Sequence, residues 1–169
     1  MIIFVGLCAF LIICGVILFV MKSANDTKKY KYYDAAYMMI KENCLNEALK
    51  NHPLREMEGQ RLMVYLEWKD NEAYGYVFDP AYGIRVGRDP NKNEICIREN
   101  IVSSSHCKLY LTEGGLAIQD YGSINGTYVK HGFWKHRVNG SEYLYSGDGI
   151  LVGNMKIKVT IFTFDMSNI

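Results

Sequence analysis

From Arg61 onward, turn-forming clusters interrupt β-forming runs at short intervals, and this spacing limits the chain to a narrow set of folds. The breaks fall at Asp70-Asn71, Asp89-Pro90, Glu113-Gly114-Gly115, Asn125-Gly126, Asn139-Gly140 and Ser146-Gly147-Asp148-Gly149. These residues tolerate or demand turn geometry. Between them lie runs with a period of two: 62–66, 73–78, 83–86, 94–97, 106–111, 116–119, 127–129, a short pair around 137–138 and 143–144, then 150–152 and a long run at 156–164. About ten or eleven short strands with no helical period among them predict an all-β fold, an antiparallel β-sandwich. Loops at one end of such a sandwich are free to carry function without disturbing the core.

The part before residue 61 has a different character. Residues 1–21 contain no charged side chain and consist largely of Ile, Leu, Val, Phe, Gly, Ala and Cys. A helix of this length, rising about 1.5 Å per residue, matches a hydrocarbon layer of about 30 Å. The run has no basic start and no small-residue cleavage site, so an uncleaved transmembrane helix is expected rather than a signal peptide. Lys22, Lys28, Lys29 and Lys31 follow it, opposed only by Asp26. Positive charge beside a span stays on the cytoplasmic side. The expectation is a single-pass cell-membrane protein with its N-terminus outside and the sandwich in the cytoplasm. Residues 22–60 then form a basic juxtamembrane segment, a helix over about 34–51 and a linker from Leu54 to Gln60. In that helix Tyr37, Ile40, Cys44 and Ala48 share a stripe, Asp34 is a candidate N-cap and Pro53 a stop. The stripe must be buried on something, with the adjoining domain the first candidate. The sandwich is assigned to residues 61–165.

Composition excludes some functions. A formal net charge of +1 over 169 residues gives no footprint for nucleic acid. The five cysteines, at positions 8, 14, 44, 96 and 107, have no C-x-x-C spacing and are read as packing residues, with neither a disulfide framework nor a metal site. No cofactor is implied.

Three loop clusters carry the chemistry. Gly87-Arg88 ends a strand, which places a planar fork of five donors at the sheet rim, a shape matched to carboxylate or phosphate. Ser103-Ser104-Ser105-His106 offers hydroxyls and loop amides to an anion, with a histidine able to hold the loop by bonding its backbone. A nucleophilic reading of Ser103 and His106 lacks an orienting acid and a strand-to-helix elbow, so no enzyme is expected. Asn125-Gly126-Thr127 has tight-turn chemistry, and the Asn side-chain amide can also bond both ways to a peptide backbone. It is one of three N-x-[ST] sequons, with Asn25 and Asn139 heading the others.

Gly-Arg, then Ser-x-x-His, then Asp-x-x-Ser-x-Asn-Gly-Thr-Tyr-Val, then Leu-x-Ser-Gly-Asp-x-Ile-x-Val-Gly is an order that resembles the forkhead-associated (FHA) domain family over about residues 61–165. The resemblance implies an eleven-stranded β-sandwich recognising phosphothreonine in a peptide. It implies phosphate contacts from Arg88 and Ser103 with help from Ser104, a main-chain contact from Asn125, and structural roles for Gly87, His106, Gly126 and Thr127. Two positions depart from the pattern. Ile124 stands where many members carry Thr or Ser, and Ile101 where some carry a basic residue that reads the peptide. The functional expectation is a membrane-anchored adaptor for phosphothreonine-containing proteins, substrates of a Ser/Thr kinase, with cell-wall or division machinery as partners by analogy. The other reading is a phosphate-independent membrane scaffold using the sandwich and the 34–51 helix.

Overall fold

The computed structural model describes residues 2–49, 60–69 and 72–165, excluding the side chains of 2–12, 25, 28, 29 and 40–49. One helix, α1 (Ile2–Leu49), precedes eleven strands: β1 (Gln60–Lys69), β2 (Ala73–Phe78), β3 (Ile84–Gly87), β4 (Ile95–Cys96), β5 (Cys107–Thr112), β6 (Gly115–Asp120), β7 (Thr127–His131), β8 (Trp134–Arg137), β9 (Ser141–Tyr143), β10 (Gly149–Val152) and β11 (Met155–Asp165). They form a six-stranded sheet ordered β2-β1-β11-β10-β7-β8 and a five-stranded sheet ordered β4-β3-β5-β6-β9. The expected sandwich is therefore present.

Alternation explains the core. In β11, Met155, Ile157 and Val159 are buried while Lys156 and Lys158 are exposed. The inward positions of both sheets, among them Leu66, Ile84, Val86, Leu109, Ile118, Val129 and Ile150, make one cluster. Burying such a side chain contributes about 1.5–3 kcal/mol. The sandwich is not wholly antiparallel: β3 and β4 pair in parallel, Val86 opposite Ile95 and Gly87 opposite Cys96. Parallel strands ordinarily need a dozen or more connecting residues. Here β4 is only two residues long, and the connection folds into a turn in which Asp89 accepts from the Asn91 and Lys92 backbone N–H groups.

The N-terminal half differs more from expectation. Instead of two helices separated by a basic segment, α1 runs unbroken from Ile2 to Leu49. Nothing in residues 22–33 is a strong helix breaker, since neither Gly nor Pro occurs there. The stop at Pro53 and nearly all of the linker lie outside the described residues, as do the side chains of Ile40, Cys44 and Ala48. The expected span at 1–21 falls largely on residues 1–12, whose side chains are likewise outside them; among the described residues no helix is long and apolar enough to cross a membrane.

Helix α1 docks on the outer face of the six-stranded sheet. Ala36 is fully buried, joined by Met63 of β1, Val77 of β2 and Phe164 of β11, with Tyr33, Tyr37, Met39, Tyr65 and Phe162 around them. The Tyr33 hydroxyl donates to the Thr163 carbonyl at 2.9 Å, and the Tyr32 ring lies 4.3 Å from that of Tyr65. Strand β1 is thus covered on both faces, with Val64 and Leu66 toward the sandwich core and Met63 and Tyr65 toward the helix. Leu62–Leu66, expected to alternate, is instead a nearly continuous apolar run because both of its faces are covered.

Candidate functional site

Each of the three sequence clusters lies at the junction of a loop with a strand, and the loops are bonded to one another. Arg88 follows directly on β3; its N–H donates to the Ser103 carbonyl at 3.0 Å, and the Asp89 N–H donates to that of Ser104 at 3.3 Å. Between β6 and β7, the Ile124 N–H donates to Ser103 Oγ at 3.3 Å, and Asn125 Nδ2 donates to the Ile101 carbonyl at 2.7 Å. Arg88, Ser103 and Asn125, distant in sequence, thereby sit on adjoining backbone at the rim where β3, β5 and β7 begin or end. Arg88, Ser104, Ile124 and Asn125 are exposed and Ser103 is half-buried. The Arg88 guanidinium makes no hydrogen bond or ion pair among the described residues, whereas Arg85, three residues earlier, is committed to Glu94 with contacts from 2.6 to 3.2 Å. One arginine of this strand staples β3 to the segment beside it; the other is free for an external anion.

His106 holds two of the loops. The residue is fully buried at the start of β5. Its Nδ1 accepts from the Ser103 N–H at 3.2 Å, so Nε2 carries the proton and donates to the Gly126 carbonyl at 3.3 Å. Burial pushes the pKa of the ring down, which keeps it neutral and preserves the acceptor at Nδ1. Gly126 sits at φ 78°, a conformation that side-chain-bearing residues rarely adopt, so the turn favours glycine. Gly87 is required for another reason: a Cβ would run into the Ser104 carbonyl oxygen and lie 2.8 Å from Asn93 Oδ1.

Two organising residues escaped the sequence reading. Asp120 accepts four bonds, from Ser123 N–H (2.8 Å), Ser123 Oγ (2.6 Å), Thr127 N–H (3.0 Å) and Thr127 Oγ1 (2.5 Å). This closes the loop that presents Asn125. Burial works to raise its pKa, but the Ser123 and Thr127 bonds outweigh it and hold the carboxyl below the usual range. The signal was available, because Asp followed by Ser and Thr at three and seven residues is Asx-turn chemistry. Asn93, buried, donates through Nδ2 to both the Asp89 and Ser104 carbonyls at 2.7 Å and clamps the first loop to the second. No pattern in the chain distinguished it. Cys107 is fully buried beneath these loops and its thiol is pushed up to about 12, as suits a packing residue. A cleft of about 630 Å³ lies elsewhere, between β1, β2 and residues 94–99, and Arg88, Ser103 and Asn125 do not line it.

Residues 84–153, the stretch that contains all three loops, match the family model described as "FHA domain". The chain carries an FHA domain. Over 78 residues it is 38% identical to the ABC transporter ATP-binding/permease protein Rv1747 of Mycobacterium tuberculosis, a match covering 46% of this chain and 8% of that one. The chain spans between 8% and 46% of the curated relatives it matches. Among solved structures, the FHA domain of CT664 from Chlamydia trachomatis aligns with a TM-score of 0.52 at 20% identity, covering 58% of this chain and 96% of that one. A structure from a study of phosphothreonine-dependent FHA domain interactions aligns with a TM-score of 0.50 at 23% identity, covering 58% and 95%. At these identities the structures show the fold of the FHA domain, with its strands extending on both sides of the matched stretch to Gln60 and Asp165.

Proposed function

We propose that the FHA domain binds phosphothreonine peptides through Arg88, Ser103, Ser104 and Asn125, and that the chain acts as a membrane-anchored adaptor recruiting phosphorylated partners to the cytoplasmic face. The observation that carries this reading is an exposed, uncommitted guanidinium on a loop bonded to the Ser103 backbone and, through Ser103 Oγ, to the loop of Asn125. A phosphate carries about −1.5 to −2 charges and three strong acceptor oxygens, for which such donors are suited. The fold shared with a domain solved for its phosphothreonine-dependent interactions supports the ligand class. Ile124 does not disable such a site: its side chain is 87% exposed, and its contribution to the loop is a backbone N–H that any residue there would supply.

The anchor rests on the uncharged run at 1–21 and the lysines that follow it, within one unbroken helix. Ile13 and the residues 16–21 are all exposed in the fold, which leaves their apolar side chains for a lipid or protein environment. Partners would be substrates of a Ser/Thr kinase, with cell-wall or division machinery as an associational extension.

The test is titration of the full chain in detergent against a phosphothreonine-peptide library, with unphosphorylated peptides and Arg88→Ala as controls. Phosphorylated peptides alone should bind, and Arg88→Ala should lose about 1.5–3 kcal/mol, or roughly 10- to 150-fold in affinity. Equal binding of phosphorylated and plain peptides would instead support a phosphate-independent scaffold. That second reading has one feature behind it, the exposed Phe133 and Trp134 at the β7–β8 turn. For orientation, a cysteine at residue 2 should label on intact cells with an impermeant reagent; labelling only after lysis would reverse the topology.

A further inference from the structure

Away from the loop cluster, three side chains at the open edge of the sandwich converge. His131 ends β7, His136 lies on β8 and Glu142 on β9, and each offers one ligand atom within 4.8 Å of the others. The register makes this possible. His136 pairs with Val129, and His131 lies two residues on from Val129, so both rings project from the core-facing side of the six-stranded sheet toward β9 of the other. The rings stack with centroids 5.4 Å apart, and His136 Nε2 lies 2.9 and 3.1 Å from the two Glu142 oxygens.

An oriented second carboxylate completes the arrangement. His131 Nδ1 donates to Asp148 Oδ1 at 2.8 Å. Asp148 is buried, and its other oxygen accepts from the Tyr145 N–H at 2.6 Å. The ring is therefore held in the tautomer whose lone pair is on Nε2. A carboxylate–histidine pairing of this kind is how proteins fix and strengthen a metal-ligating imidazole. Two imidazoles and one carboxylate form a borderline donor set suited to zinc-type divalent ions.

We propose that His131, His136 and Glu142 form a binding site for a divalent transition metal, Zn(II) by preference, that clamps the two sheets at their edge strands β8 and β9. The ion takes the place of the proton between His136 and Glu142, with the His136 ring moving to its Nδ1–H tautomer. Asp148 acts as a positioning residue for His131. Partial exposure of all three ligand side chains, 34%, 45% and 23%, gives the ion a path in. With three protein ligands, a fourth coordination position is left to water or to a group from a partner.

The experiment is calorimetric titration of the full chain in detergent with ZnCl2, beside Co(II) absorption spectroscopy and thermal unfolding. The expected result is one ion per chain at micromolar affinity or tighter, Co(II) d–d bands of a four-coordinate N/O site, and a rise of several degrees in Tm on adding Zn(II). H131N, H136N and E142Q should each weaken binding at least tenfold and abolish the Tm rise, whereas E67Q, on β1 and paired with Lys158, should change neither. Circular dichroism without metal checks that each variant is folded; a variant that is not is replaced by its Gln or Asp counterpart. No saturable binding, or binding that survives all three substitutions or is lost equally in E67Q, would reduce the cluster to an ordinary His136–Glu142 hydrogen-bonded pair and overturn the site.

Discussion

Gly87 illustrates how tightly the site is specified at single positions. The neighbour its missing Cβ would strike is the Ser104 backbone carbonyl, which is itself bonded to Asn93 and Asp89 and has no room to yield. Gly87→Ala should destabilise the domain by about 1–3 kcal/mol in urea unfolding, as overpacking does. Affinity for any loop ligand should fall with it, since the displaced carbonyl belongs to the serine loop. His106 brings a pH dependence whose sign is fixed by burial. Its folded pKa lies below the ordinary value near 6.5, so its neutral form contributes stability in full above that value, and the contribution is lost as pH falls through the folded pKa. Comparing wild type with His106→Gln between pH 7.5 and 5 should show a Tm difference that narrows toward acid; a constant difference would mean that the ring does not titrate on folding. Sequence reading could place Arg88, Ser103 and Asn125 in loops, with His106 at the head of the strand that follows the serines, because each lies beside a turn signal. It could not show that Nδ1 of one ring supports the serine loop while Nε2 supports the asparagine loop, a fact of three-dimensional distance.

Among the elements, the strands were legible because in β3, β5, β7, β10 and β11 core-facing residues alternate with less buried ones, and a period of two survives without knowledge of partners. The helix was less so. Residues 22–33 read as a polar interruption, yet charge does not break a helix when no Gly or Pro intervenes and a packed face lies beyond at Tyr33, Ala36 and Tyr37. That packing is testable on its own. Ala36→Glu would put an unpaired carboxylate into a closed apolar contact and should release α1 from the sheet while leaving the sandwich intact. Trypsin should then cut at Lys31 or Lys41 many-fold faster, with unchanged β-sheet circular dichroism. The β6–β7 loop has its own keystone: Asp120→Ala removes charge-assisted bonds from Ser123 and Thr127 and should cost about 1.5–3 kcal/mol in denaturant unfolding. Because the Asp120 pKa is depressed in the fold, this contribution is present above the ordinary carboxylate value near 3.9 and disappears only as pH falls below it, well under the range in which His106 acts. The edge cluster of His131, His136 and Glu142 was invisible for a topological reason: it joins the last strands of two different sheets, and no sequence spacing encodes that meeting.

For the molecule as a whole, ligand binding and folding should be linked, since residues from three loops must all be in place for either. A phosphothreonine peptide at a hundred times its Kd should stabilise the chain by about 2.7 kcal/mol, seen as a rise in Tm, and the unphosphorylated peptide should give none. The bonds within the loop cluster also bear on how recognition proceeds. One N–H of the Asn125 amide is already committed to the Ile101 carbonyl, and the Ile124 N–H to Ser103 Oγ. Under the proposed function, the rotations of the β6–β7 loop have been given up when the chain folded, so an incoming peptide would find that loop already set and would have only the unbonded Arg88 side chain to order beside its own freedom. Association should consequently resemble a key entering a rigid lock, with partner choice expressed mainly in how long the complex lasts.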